Sequence, residues 1–376
     1  MKKNEPIKIV VTGAKGFIGS NLMTHLSERN DVGVKPLDVD NTESEFNQVL
    51  DEANYVFHLA GVNRPTDPAE FETGNHGLTA RIVDRLRERS KPPVVVATSS
   101  IQAALDNPYG ASKRAAEEEL FTFGEETSAY TYVYRLPNVF GKWSKPYYNS
   151  AVATFCHQVA HGETPSVNDP SAPLHLVYVD DVVASLLGIV DGRRPVMEGS
   201  FCKVRPEYQT TVGNVAEIIS SFPDIRAGGP LPDLSDGLAK ALYSMYLTYL
   251  PDESVAYTAD TKSDERGYLF ELVKSHHAGQ VFVSRTKPGV TRGNHYHHTK
   301  VEKFCVVEGT AQIRLRHHLT NDLLSFKVEG NECRVVDIPA GYTHNISNIG
   351  KSDLITLFWA NEIFDPQNPD TYYREV

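Results

Sequence analysis

The chain is poor in cysteine. Four occur in 376 residues (Cys156, Cys202, Cys305 and Cys333), and none stands in a Cys-x-x-Cys pair. That removes a disulfide framework and points to buried free thiols in a reducing compartment, so the expected location is cytoplasmic. Also lacking is any apolar run near the ~20 residues that a membrane-crossing helix needs. Met1 to Pro6 lead into a short strand rather than a signal-peptide core. No basic block breaks a balance of 37 Lys and Arg against 48 Asp and Glu, formally −11, and nucleic-acid binding is not expected. Internal repeats and low-complexity tracts are absent too. The length suffices for two domains, each with its own core.

Histidine, by contrast, is concentrated. His295 and His297 are followed by Glu302, and His344 closes Pro339-Ala340-Gly341-Tyr342-Thr343-His344. Residues i and i+2 of a strand share a face, so the first two imidazoles stand side by side. Glu302 and His344 can approach from neighbouring strands. Three neutral imidazoles and one carboxylate suit zinc, iron, nickel or manganese and leave a position for water or a substrate oxygen. A divalent metal, zinc foremost, is therefore assigned to His295, His297, Glu302 and His344. The pair His317-His318 has no such spaced carboxylate.

Gly289-x5-His295-x-His297-x4-Glu302-x6-Gly309, then Pro339-x-Gly341-x2-His344-x3-Asn348, resemble the two signature motifs of the cupin superfamily. The glycine that usually opens the second motif is displaced to Gly330. The resemblance implies a small antiparallel β-barrel with the metal inside its mouth. Short β-rich runs at 302–308 and 334–339, broken by Gly309 and Gly341, agree with it.

The other end carries a second chemistry. Ile7 to Val11 reads as a buried parallel strand. It feeds Thr12-Gly13-Ala14-Lys15-Gly16-Phe17-Ile18-Gly19 and an amphipathic stretch through Leu26. Glycines there permit a tight turn and close backbone approach, and a helix N-terminus attracts a pyrophosphate. Tyr55 to Gly61 reads as a further strand, ending at Leu59, Ala60 and Gly61 where a cofactor can cross the sheet edge. Val94 to Ser100 is another, followed by Tyr109-Gly110-Ala111-Ser112-Lys113. Residues four apart on a helix share a face, so Lys113 stands beside the Tyr109 phenol. A cation there brings the phenol down from its ordinary pKa of about 10 towards the range of a working proton donor.

These motifs resemble the extended short-chain dehydrogenase/reductase (SDR) family over roughly the first two-thirds of the chain. The expected fold class is α/β, a Rossmann-type doubly wound parallel sheet, followed by an all-β cupin barrel. The reductase domain is expected over 1–250, a linker over 251–259 and the cupin domain over 260–376. The resemblance implies that Ser100 hydrogen-bonds the substrate carbonyl (Ser99 if the register is off by one). Tyr109 would be the acid/base, and Lys113 would position the cofactor ribose. Arg135 and Asn138, within Arg135-Leu136-Pro137-Asn138-Val139-Phe140-Gly141, would lie near the substrate. The cofactor would meet Gly13, Lys15, Gly16, Phe17, Ile18, Gly19, Asp38, Leu59, Ala60, Gly61 and Asn75 as well as Lys113. Sugar-nucleotide dehydratases of this family carry Asp-Glu after the catalytic hydroxyl, whereas Ile101-Gln102 follow Ser100, so no acid stands ready to expel a hydroxyl. Asp38, near the end of the second strand, favours NAD; Lys15 and Arg64 suit a 2′-phosphate. The expectation leans to NADPH, with NADH open.

Asp264-Glu265-Arg266-Gly267-Tyr268-Leu269-Phe270-Glu271 resembles the Asp-x-Arg-Gly-x-Phe-x-Glu segment of sugar-nucleotide 3,5-epimerases, and Arg292-Gly293-Asn294-His295 their Arg-Gly-x-His. That implies Arg266, Glu271 and Arg292 as binders of a nucleotide sugar. It also makes His295 a base, which conflicts with metal ligation because the lone pair is engaged. The complete four-residue set assigns His295 to the metal and leaves the proton shuttle open between Tyr342 and His298. Joined, the two modules resemble a family of capsular polysaccharide-synthesis enzymes. The resemblance implies C3 epimerisation of a UDP-2-acetamido-2,6-dideoxy-4-ketohexose by the cupin, then NAD(P)H reduction at C4 by the reductase, in a homodimer. Its product would be UDP-2-acetamido-2,6-dideoxy-L-talose, a precursor of N-acetyl-L-fucosamine. Two rival readings are an NAD-dependent 4-epimerase and a structural, dimerising cupin whose metal only holds the barrel together; a metal dioxygenase is also open from the quartet alone, but would leave the reductase module and the Arg266 segment without a purpose.

Overall fold

Strand β1 (Ile7–Thr12) alternates between two apolar clusters. Ile9 and Val11 enter one, with Leu22 and Leu26 of helix α1 (Phe17–Ser27) and with Val182, Val183 and Leu186 of the helix Val179–Val190. Val10 enters the other, with Phe46 and Leu50 of α2 (Glu43–Glu52). A strand with both faces covered reads as a continuous apolar run, which is how Ile7 to Val11 reads.

The computed structural model describes residues 5–38, 40–227, 231–258, 262–264, 267–269, 273, 279–362 and 367–376. They fall into two compact units, Met1–Val139 with His175–Tyr208, and Phe140–Leu174 with Gln209–Val376. In the first unit the sheet runs β2 (Val32–Leu37), β1, β3 (Tyr55–His58), β4 (Val94–Ser100), β5 (Thr131–Leu136), then Phe201–Lys203 and Val196–Glu198. The pairings from β2 through Phe201–Lys203 are parallel, and Val196–Glu198 adds an antiparallel edge. The chain leaves β1 to one side for β2 and returns to the other side for β3. That switch opens a crevice at the carboxyl ends of the strands, the ligand position of such sheets. After β3 come α3 (Ala69–Phe71), a π-helical turn Glu72–Gly77 and α4 (Leu78–Arg87), and after β4 comes α5 (Pro108–Thr127). Asn107 caps α5 by accepting from Gly110 N at 2.8 Å, with Pro108 in the first turn. This start fixes Tyr109 on the opening turn.

The second unit holds two five-stranded antiparallel sheets. One runs Ala256–Thr258, Arg334–Ile338, Glu302–Glu308, Leu354–Ala360, Gln280–Thr286; the other runs Leu323–Glu329, Thr310–His317, Tyr342–Asn348, Thr291–Tyr296, Tyr372–Tyr373. The expected runs at 302–308 and 334–339 are strands, and Gly309 and Gly341 follow the ends at positive φ. This unit also takes in 140–174 and 209–250, and Ala256–Thr258, inside the expected linker, pairs with the barrel strand at 334–336. The sequence boundary at 250 does not coincide with this division. One reason is Asp337, fully buried, which accepts from Lys303 Nζ at 2.5 Å and from Arg226 of the helix Phe222–Arg226. A buried carboxylate needs such partners, and here they bind a helix to the barrel. Among the described residues no helix is long and apolar enough to cross a membrane.

Candidate functional site

The glycine loop after β1 is shaped by sterics. Gly13 has φ +67°, and a Cβ on it would stand 2.7 Å from Ala60 N. Gly16 N donates to Gly13 O at 2.9 Å, and a Cβ on Gly19 would stand 2.0 Å from that same oxygen. Turn, close approach and helix packing each depend on one glycine, and α1 begins with Gly16 as an N-cap lacking a side chain. Phe17, Ile18 and Gly19 form its first turn, whose N–H groups suit a phosphate. Lys15 pairs with exposed Asp40 at 2.7 Å. Asp38 presents a buried carboxylate oxygen, Oδ2, with no hydrogen-bond partner. A ribose hydroxyl would satisfy it, so the residues present fit a nicotinamide dinucleotide.

Beside this loop, burial raises the pKa of the Tyr109 phenol, and the neighbouring Ser100 hydroxyl works against that rise. Ser99 instead gives its hydroxyl to Glu117 Oε1 at 2.5 Å, leaving Ser100 as the serine that faces the Tyr109 phenol. Lys113 Nζ donates to the Thr98 carbonyl at 3.0 Å. Burial lowers its pKa to about 8, and the charge of Glu117 opposes the fall. Asn75, 2% exposed, accepts from Val62 N at 2.9 Å and donates to Val62 O and Ser112 Oγ, each at 3.0 Å. It thereby ties the loop after β3, holding Gly61, to the helix turn between Tyr109 and Lys113. Leu59 N donates to Thr12 O and Ala60 N to Thr12 Oγ1 at 3.1 Å. Arg135 lies bidentate on Glu117, Nε to Oε1 at 2.9 Å and Nη2 to Oε2 at 2.6 Å, with its guanidinium 3.8 Å over the Phe201 ring. Asn138 Nδ2 donates to His175 O at 3.2 Å.

In the barrel unit the four expected ligands converge. Ligand atoms of His295, His297, Glu302 and His344 all lie within 4.8 Å of one another. His295 sits 5.0 Å from His297 and 4.6 Å from His344 between ring centroids, and Glu302 Oε2 is 3.3 Å from His297 Nε2 and 3.1 Å from His344 Nε2. The far nitrogens are held by backbone: His297 Nδ1 donates to Asp370 O, and His344 Nδ1 to Tyr342 O at 3.3 Å. With Nδ1 protonated, each Nε2 lone pair points at the carboxylate. His344 Nε2 is buried and, despite its nearness to Glu302, makes no hydrogen bond. An orphaned imidazole nitrogen facing a buried carboxylate and two further imidazoles fits a divalent ion. Burial, then the neighbouring His344 and His297, lowers His295 to about 4. The site is therefore kept ready for a cation.

The strand Thr291–Tyr296 reaches this geometry through a bulge at Asn294 (φ +55°), where the ladder slips between Gly293 and His295. Arg292 donates to Thr286 Oγ1 at 3.0 Å and Arg285 O at 3.2 Å. Arg266 and Glu271 lie outside the described residues. Of the two shuttle candidates, burial pushes the Tyr342 phenol up to about 12, and His298 packs its ring on Tyr296 and Tyr372. Sequence reasoning missed Asp370, whose carboxylate accepts from the backbone N–H of His298, Thr299 and Lys300 at 2.8–2.9 Å while its carbonyl orients His297. It also missed Glu117, whose one signal was its place four residues after Lys113.

Known proteins align with both units. Residues 9–195 match the NAD dependent epimerase/dehydratase family, and residues 262–372 match the polysaccharide biosynthesis C-terminal domain. A UDP-2-acetamido-2,6-beta-L-arabino-hexul-4-ose reductase of Pseudomonas aeruginosa is 43% identical over 370 residues, 98% of this chain and 99% of that protein. The spore coat polysaccharide biosynthesis protein SpsL of Bacillus subtilis is 28% identical over 120 residues, 29% of this chain and 78% of its own. The crystal structure of the capsular polysaccharide assembling protein CapF of Staphylococcus aureus superposes with a TM-score of 0.67 at 43% identity, covering 98% of this chain and all of that one. Sharing sequence and fold along almost its full length with these two, the chain belongs to the CapF-type reductase family of surface-polysaccharide biosynthesis.

Proposed function

We propose that the chain is a bifunctional nucleotide-sugar enzyme. The cupin barrel (260–376) epimerises C3 of a UDP-2-acetamido-2,6-dideoxy-4-ketohexose, and the SDR domain (1–250) reduces the C4 ketone, giving UDP-2-acetamido-2,6-dideoxy-L-talose. One observation carries this reading: a single chain holds both a Ser100, Tyr109, Lys113 cluster beside a dinucleotide loop and a buried three-histidine, one-carboxylate set. The full-length likeness to a 4-ketose reductase supports it.

In the reductase, Tyr109 protonates the ketone oxygen, Ser100 holds that oxygen by a hydrogen bond, and Lys113 favours release of the phenol proton. Bound NAD(P)H supplies the hydride. Asn75 keeps the loop at Gly61 against the catalytic helix. The unsatisfied Asp38 oxygen, and Lys15 engaged by Asp40, support NADH at least as well as NADPH. In the barrel, His295, His297, Glu302 and His344 would hold a divalent ion, zinc foremost, whose Lewis acidity would favour loss of the C3 proton beside a ketone. Arg266, Glu271, Arg292, Arg135 and Asn138 remain the proposed substrate contacts, in a homodimer. Reduction removes the ketone on which epimerisation depends, and so draws a reversible step forward.

The test is oxidation of NADPH and of NADH on this 4-ketohexose in heavy water, with NMR of the product. Stoichiometric oxidation with deuterium at C3 is expected. A product without net oxidation would instead establish the rival 4-epimerase reading, which the NAD-like setting of Asp38 favours, since that chemistry regenerates its cofactor.

A further inference from the structure

Tyr109, Lys113 and Glu117 stand at four-residue spacing on α5 and form one stripe of the helix. Glu118 is exposed, whereas Glu117 is 3% exposed. A carboxylate is not left in an apolar interior without a reason, and the reductase steps above make no use of it. Its oxygens are taken by the Ser99 hydroxyl at 2.5 Å and the Arg135 guanidinium at 2.9 and 2.6 Å. Phe201 lies against the far side of that guanidinium. Lys113 has a neutral acceptor in the Thr98 carbonyl of β4, and the negative charge acting on it is that of Glu117. The other groups around the lysine are Tyr109 of its own helix, His58 of β3 and Asn75, none of them anionic; His58 is kept neutral by its burial. Arg135 of β5 reaches the same carboxylate through two hydrogen bonds.

We propose that Glu117 is a positioning residue of the reductase site: its buried carboxylate keeps Lys113 charged, and Arg135 and Ser99 moderate how much of that charge the lysine feels. The proposal rests on the reductase reading. It gives Arg135 a role in tuning the lysine, beside the substrate contact expected from its motif. Turnover and ribose binding both use the charged form of Lys113, so loss of its proton is expected to set an alkaline limit to both.

Three full-length variants test this by kcat against pH and by NAD(P)H binding against pH, read from nucleotide fluorescence. Glu117→Gln removes the supporting charge, and its alkaline limb should move down by about one unit, a rate loss of roughly tenfold at alkaline pH. Arg135→Gln frees the carboxylate to act on the lysine, and its limb should move up. Glu117→Asp keeps the charge and should hold the limb near its original place. A purely structural Glu117 would lower the rate at every pH without moving either limb, and that result in a cooperatively melting Glu117→Gln protein overturns the proposal. Should Glu117→Gln fail to fold, Arg135→Gln decides: an upward shift supports, an unmoved or downward limb refutes. Absence of any turnover in the unmodified protein would sink the reductase reading instead, and the binding profiles would still decide the role of Glu117.

Discussion

His58 is held by two hydroxyls. Thr79 donates to Asn75 O, so it must accept from His58 Nε2 at 2.8 Å, and His58 Nδ1 accepts from Thr12 at 2.8 Å. The ring is thus a neutral bridge between β1, β3 and the turn that carries Asn75. Burial, then the charge of Lys113, pushes its pKa to about 3 from an ordinary 6.5. Folding therefore excludes a proton that the unfolded chain takes up. The stability at stake is complete above pH ~6.5 and is lost as pH falls toward 3, at about 1.4 kcal/mol per unit. Urea midpoints between pH 7 and 4 should fall less steeply in His58→Gln than in the unmodified protein. Residues whose type narrows their task were legible in the sequence: Gly13 and Gly19 as places for a tight turn and close backbone approach, and His295, His297, Glu302 and His344 as a set able to converge. His58 was quoted only as part of a strand, because nothing local distinguishes a bridging imidazole from a filler. Glu117 was one acid in the run Glu117-Glu118-Glu119, and only tertiary packing separates the buried member from its exposed neighbour.

Among elements, β1, β3 and β4 of the parallel sheet followed directly from apolar runs, and Val94–Ser100 has the bounds read from the sequence, whereas Thr131–Leu136 and Phe201–Lys203 were not read as strands. The bulge at Asn294 was not foreseen. Strict alternation leaves no extra residue, yet the slip before His295 needs one, and Gly293 permits it because a Cβ there would stand 2.9 Å from His344 O. Nor was the use of the segment 367–376. Its strand Tyr372–Tyr373 pairs with His295 and Tyr296, and Asp370 gathers three consecutive N–H groups while fixing His297. This rests on contacts some seventy residues apart in sequence, beyond the reach of local pattern. Replacing a group that orients a metal-bound histidine commonly costs about 10- to 100-fold in metal affinity. Asp370→Ala should lose that much in competition with a chelator, whereas an unchanged affinity would mean the tail has no hold on the ion.

At the scale of the whole molecule, the two chemistries occupy different compact units, and each can be silenced separately. Tyr109→Phe should retain exchange of the C3 hydrogen in heavy water while oxidising no NAD(P)H. His344→Ala should lose the exchange and still bind NAD(P)H with unchanged fluorescence. If either substitution abolished both readouts, the division of labour would be wrong.

The placement of Asp370 also bears on how the protein is made. All four proposed metal ligands precede it along the chain, so a ribosome delivers the quartet before the carbonyl that turns His297 towards it. A nascent chain stalled between residues 344 and 370 would carry every ligand but an unaimed one. The reductase unit, complete in sequence by Tyr208, can fold ahead of that moment. An ion held by all four would therefore load late in synthesis, after the dinucleotide loop, Tyr109 and Lys113 have been made.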